Sequence, residues 1–110
     1  MMESWLSDVL LPMLLVLCRI GGIAIFGPLL GSPAIPMRIR ALLSVALAGA
    51  TAPIVLGTVS VPVPSSPWML LPMVGAEIAI GAVIGLMAVI PLAAMQMAGL
   101  LCGQQLGLGF

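Results

Sequence analysis

The chain has 110 residues, of which 63% are hydrophobic and 5% charged, with three basic and three acidic side chains and a mean hydropathy of +1.38. That composition belongs to a membrane protein, with the lipid bilayer as its surrounding, and not to a soluble core. Zero net charge and the lack of any basic cluster argue against binding to nucleic acid or to an anionic lipid surface.

The start, MMESWLSD, is acidic where a cleaved secretory signal is basic, and no small-residue cleavage pattern closes the first apolar run. The first helix is therefore expected to stay in the mature protein. Trp5 sits where an interfacial aromatic belongs, and Ser7 or Asp8 is placed to cap a helix from Asp8 to Phe26 or Gly27, with Pro12 tolerated near its first turn. That helix carries Arg19, about 21 Å along the axis from Trp5. Pro28, Pro33 and Pro36 then forbid a continuous helix, because each removes a backbone donor and its ring clashes one turn back. Residues 28–37 accordingly read as a Pro/Gly turn. Arg38 and Arg40 mark the edge of the bilayer and, by the positive-inside rule, determine topology with their loop on the cytoplasmic side.

The next apolar stretch, 38–57, predicts a second helix, with Ser44, Ala48 and Ala52 forming a small-residue stripe at four-residue spacing. Residues 58–67, rich in Pro and Ser, read as an extended loop. Trp68 marks re-entry. The third stretch, 68–102, has 35 residues and would be about 50 Å long as one helix, well beyond the roughly 30 Å of a hydrocarbon core. A break or a kink is expected near Pro91, whose missing N–H frees the carbonyl of Met87. Gly81 and Gly85 form one helix-packing face, and Gly99, Gly103 and Gly107 a second. Residues 103–110, GQQLGLGF, predict the start of a Gly-rich loop, because glycines weaken a helix by about 1 kcal/mol each and Gln104 and Gln105 need partners if buried. The expected fold is a single all-α integral membrane domain of three to four hydrophobic helices, including a long Pro-kinked third one.

Arg19 and Glu77 are the two charges expected at membrane depth, where an unpaired charge costs about 3 kcal/mol by insertion scales. If both tryptophan ends lie on one side, Glu77 is about 14 Å below Trp68, within reach of a long Arg side chain at 21 Å. An intramembrane Arg19–Glu77 pair is the reading; snorkelling or contact with another subunit is the alternative. Cys18 and Cys102 read as small packing residues, and most of the nine methionines as apolar filler. Catalysis finds no footing: there is no His or Lys, no carboxylate pair at useful spacing and no Cys/His metal set, so neither an enzyme nor a cofactor is expected.

Taken together, Arg19 with the run to Pro28, the turn ending IPMRIR (Ile35 to Arg40), Glu77-Ile-Ala-Ile-Gly81-Ala-Val-Ile-Gly85 and GQQLGLGF (Gly103 to Phe110) resemble the N-terminal portion of the FliR/SctT family. That family supplies the R-type subunit of the flagellar and virulence type III secretion export gate. The resemblance implies a non-enzymatic inner-membrane subunit, one copy in a hetero-oligomer with P-type and Q-type export-gate subunits, through which unfolded export substrates pass. It also implies that Gly103, Gln105, Gly107 and Phe110 belong to a loop that plugs the pore. Family members are longer, so a fragment or shortened reading frame is expected, and their helices are raised out of the bilayer plane. The rival reading is a fragment of a small-molecule secondary transporter, with Arg19 and Glu77 near a broken helix at the midplane.

Overall fold

Uncharged apolar runs that meet lipid must satisfy their backbone groups internally, and short of a closed barrel only a helix does so. The structure, a computed structural model describing residues 1–108, accordingly contains three long helices and, among the described residues, no strand. They are α1 (Met2–Phe26), α2 (Met37–Thr58) and α3 (Leu70–Gln105), the last entered through a 3-10 turn at Pro67–Met69. Each is long and apolar enough to cross a membrane.

Helix α1 begins at Met2 rather than at a cap on Ser7 or Asp8. The Ser7 hydroxyl instead donates back to Ser4 O at 2.9 Å, inside the helix. The reason lies four residues ahead of Asp8: Pro12 has no N–H to donate, so the preceding residues, Leu6–Leu10, widen into a π turn in which Leu11 N–H reaches Leu6 O. One extra residue per turn absorbs the proline, and the helix continues through it.

Between α1 and α2 the chain turns on Ser32, whose carbonyl accepts from Ile35 N at 3.2 Å and from Arg40 Nη2 at 3.0 Å, while its hydroxyl accepts from Ala34 N at 3.3 Å. Hydroxyls within α2 are satisfied along the helix: Ser44 donates to Arg40 O, Thr51 to Leu47 O and Ala48 O, and Thr58 to Ile54 O. Such back-bonding lets polar residues sit on an apolar helix without outside partners. Pro53 inside α2 costs the helix one backbone bond without ending it. After Val59 the extended loop runs back to Pro67.

Helix α3 is continuous over 36 residues, about 54 Å, and Pro91 does not end it. Its C-terminus corrects the reading of 103–110 as loop from its first residue. Gly103, Gln104 and Gln105 are helical, and the chain leaves the helix only at Leu106. Gly107 takes φ +68°, Leu108 N donates to Gly103 O at 2.9 Å and Gly107 N to Gln104 O at 3.2 Å. This is a Schellman cap, and it explains the correction: one left-handed glycine closes the last carbonyls, so helix persists up to it despite the helix-weakening Gly103. Gly107 keeps its place in the turn, while Gly103 and Gln105 do not. Phe110 lies outside the described residues.

In space α1 is the middle helix, packed against both α2 and α3, and the molecule is a rod 68 × 24 × 23 Å with α3 as its spine. The buried apolar side chains among the described residues are few, chiefly Leu15, Ala24 and Ala48, and the accessible surface is 8113 Å². A soluble monomer of 11.2 kDa would expose about 5,700 Å². The excess is apolar helix surface made for lipid or other chains.

Replacing Gly107 by Ala forces a side chain into the left-handed region at a cost of about 1 kcal/mol. Hydrogen exchange of the protein in detergent should show Gly103 to Gln105 protected as helix in the wild type, with roughly five-fold faster exchange at Gly107 and Leu108 in Gly107→Ala. Unprotected Gly103 to Gln105 amides in the wild type would contradict the cap.

Candidate functional site: a charge pair at a glycine crossing

On α3, Glu77, Gly81 and Gly85 recur every four residues and so share one face; on α1, Arg19, Gly22 and Phe26 recur at three and four and share another. The fold lays these two stripes against each other. Where they cross, the backbones touch. A Cβ on Gly22 would lie 2.6 Å from Ile78 O and 3.1 Å from Ala82 N, one on Gly85 would lie 2.9 Å from Gly27 N, and one on Gly81 would collide with Arg19 O. Glycine is needed at these three positions for close approach. Of the Gly21-Gly22 pair only the second faces α3, since a Cβ on Gly21 meets nothing within 4 Å.

The crossing places the two charges side by side. Arg19 Nε donates to Glu77 Oε2 at 2.6 Å and Nη2 to Oε1 at 3.0 Å, a two-pronged pair that engages both carboxylate oxygens. The Glu77 side chain is 20% exposed and that of Arg19 46%. A 150 Å³ cavity beside the pair is lined by Pro12, Leu15, Val16, Val55, Val59 and Val61. A second cavity of 180 Å³, with Ser7, Asp8 and Ser60 on its wall, shares Pro12, Val59 and Val61 with the first. The two cavities are neighbours between the start of α1 and the loop after α2. The pair is a structural clamp; among the described residues no set of groups is arranged to hold a metal ion.

The remaining sequence-predicted positions fall elsewhere. Gly99 and Gly103 have nothing within 4 Å of an added Cβ, so neither packs against another helix of this chain. Gly103, Gln105 and Gly107 lie at the far end of α3, about 39 Å from Glu77 along the axis for Gly103, and so form a separate place from the charge pair. Arg38 is exposed on the first turn of α2, whereas Arg40 is half-buried and holds the Ser32 carbonyl. Two residues escaped the sequence reading: Ser32, hub of the first turn, and Gly22. The signal for Gly22 was present, because it follows Arg19 by three residues, one turn along the same face.

Two substitutions separate the crossing from the rest of α3. Gly81→Leu should abolish the α1–α3 contact and remove the thermal transition of the detergent-solubilised protein, while Gly99→Leu leaves its midpoint unchanged or raises it slightly through better helix propensity. Arg19→Glu or Glu77→Arg alone leaves two like charges facing each other and should abolish the folded species; the double exchange should recover it. Failure of the double exchange to recover any folded protein would mean the pair does not hold the crossing.

The model of the family described as bacterial export proteins, family 1, matches residues 10–110. The matched stretch includes both stripes of the crossing and the whole of α3. Searches of curated proteins and of solved structures return no match. Three apolar membrane-length helices and a family match over nearly the full chain make this a membrane protein of the protein-export machinery, from a family not known for catalysis. The chain belongs to the bacterial export proteins, family 1, the family of the FliR/SctT subunits.

Proposed function

We propose that the chain is a non-enzymatic subunit of the flagellar or virulence type III export gate in the bacterial inner membrane, helping to form and seal the pore that unfolded export substrates cross. In this reading it joins P-type and Q-type subunits as one copy in a hetero-oligomer, in the flagellar case at the basal body. The observation that carries the reading is the second half of α3. Past Gly85, where α1 ends, α3 continues for about 30 Å, and every residue from Ile90 to Cys102 is exposed although the stretch holds no charge.

An uncharged helix of that length is stable only in hydrocarbon or against other apolar helices. The stretch from Trp68, in the 3-10 turn, to Gly85 already spans about 26 Å, close to one bilayer on its own. Partner helices are therefore the natural cover for the second half, and Gly99 and Gly103 would let them approach closely. The capped turn at Leu106 and Gly107 then delivers the chain to the end of that segment, where in this reading Gly107 and Phe110 help to close a pore.

The test is native mass spectrometry of the full-length protein, co-expressed with its neighbouring genes and extracted in mild detergent. A large complex with one copy of this chain and several copies of two other small membrane proteins is expected. A monomer or homo-oligomer would remove the gate reading. In the assembled complex, Gly99→Leu and Gly103→Leu should weaken retention of the partners while leaving the isolated chain folded.

A further inference from the structure

Past the first turn of each long helix stand three prolines, Pro12, Pro53 and Pro91, and only the last is left without a brace. We propose that Pro91 is a hinge, at which the second half of α3 swings as a lever against the fixed α1–α3 crossing and carries the capped turn at Leu106 and Gly107 with it. What that turn does once moved rests on the gate reading; the hinge itself rests on this chain alone.

The other two prolines show what a brace looks like. Pro12 is buried, and the π turn before it, Leu6–Leu10, absorbs the missing donor. Pro53 follows Thr51, whose hydroxyl donates to Leu47 O and Ala48 O, and precedes Val55, which shares a cavity wall with Pro12, Leu15 and Val16 of α1. Pro91 has neither kind of support. It is exposed, its missing N–H leaves Met87 O without the bond of a regular helix, and α3 from Leu70 to Gln105 holds no Ser or Thr to donate in its stead.

Its position along α3 gives the weakness a direction. α1 grips α3 as far as Gly85, where a Cβ would lie 2.9 Å from Gly27 N. Val89, one turn on, is half-buried, and from Ile90 to Cys102 every residue is exposed. Pro91 therefore stands at the boundary, and the weakened turn 87–91 joins a held segment to a free one. Helices bend where the ladder of bonds is interrupted, and no other helix among the described residues opposes a bend here. A proline deeper in the held segment would be fixed by α1, and one nearer Gln105 would move only a short tip.

From Pro91 to Gly107 the lever is about 24 Å long. A bend of about 20°, where a helix counts as sharply kinked, carries Gly107 about 8 Å sideways, close to the width of a helix at about 10 Å. Partner helices packed on the lever set its angle, so a shift of those helices relative to the α1–α3 crossing moves the turn. In the gate this couples partner packing to the position of the seal.

The experiment places spin labels on Cys102, exposed near the tip of the lever, and on Leu14→Cys, exposed on α1, in the full-length protein with its other cysteines replaced. In mild detergent the distance distribution should be roughly twice as broad as in Pro91→Ala, which restores the bond to Met87 O and favours helix. Equal widths, or a shifted mean of unchanged width, which marks a fixed bend, would overturn the hinge. With the neighbouring genes co-expressed, the distribution should narrow inside the complex, and Pro91→Ala should keep the copy numbers while lowering secretion of export substrate about ten-fold. Equal secretion by the two would overturn the coupling to the seal. A wild-type chain that joins no complex would remove the gate reading alone, because the widths in detergent decide the hinge without it.

Discussion

Helices surrounded by hydrocarbon gain nothing from the hydrophobic effect when they meet, so their association must come from close van der Waals contact and from polar groups that lipid cannot satisfy. In this chain both sources act at one place, the crossing of α1 and α3. Gly22, Gly81 and Gly85 bring the backbones within reach of each other, and that approach is what allows Arg19 to meet both oxygens of Glu77. The two effects are mutually dependent. Without the glycines the helices would stand too far apart for a two-pronged pair, and without the pairing two uncompensated charges would oppose the contact. Removing either partner of such a pair is more damaging than never having had it, because the other is left uncompensated.

The crossing also sets which surfaces remain uncovered. Because α1 ends against Gly85, nearly all of α3 beyond that point is exposed among the described residues, and because α2 touches mainly α1, the trough between those two stays open. A soluble protein of this size could not leave so much apolar helix exposed. A membrane protein can, since lipid covers such surface. Among the described residues the buried side chains are accordingly mostly small ones, such as Ala24, Ser44 and Ala48, with Leu15 the one large apolar residue among them.

Where expectation and structure part, local backbone chemistry is the reason. Ser7 and Asp8 have the composition of a helix start, but a π turn absorbs Pro12 and lets the helix begin at Met2. GQQLGLGF has the glycine content of a loop, yet a glycine weakens a helix by only about 1 kcal/mol and a single left-handed residue suffices to cap one. The signal was the position of the glycines rather than their number: Gly107 is the one whose φ no other residue adopts readily. Similarly, Gly21 and Gly22 look equivalent in the sequence, and only the helical phase relative to Arg19 tells which one meets α3.

By itself the sequence determined the membrane setting, the number of long helices, the proline-marked turn and the small-residue faces at Ser44/Ala48 and Gly81/Gly85. These follow from hydropathy, proline geometry and helical period, all of which are local properties. It also named Arg19 and Glu77 as charges needing partners, since their cost in lipid does not depend on the fold. Only the tertiary structure decided for the Arg19–Glu77 pair that the sequence suggested, over snorkelling or contact with another subunit, and showed that Gly22 lies beneath it, that Arg40 spends one donor on Ser32 and leaves another unmet, and that half of α3 is covered by nothing among the described residues. Those outcomes depend on the axial offset and rotation of one helix against another. That offset is set where the backbones can approach most closely, a property of two segments 58 residues apart in the chain and of neither alone.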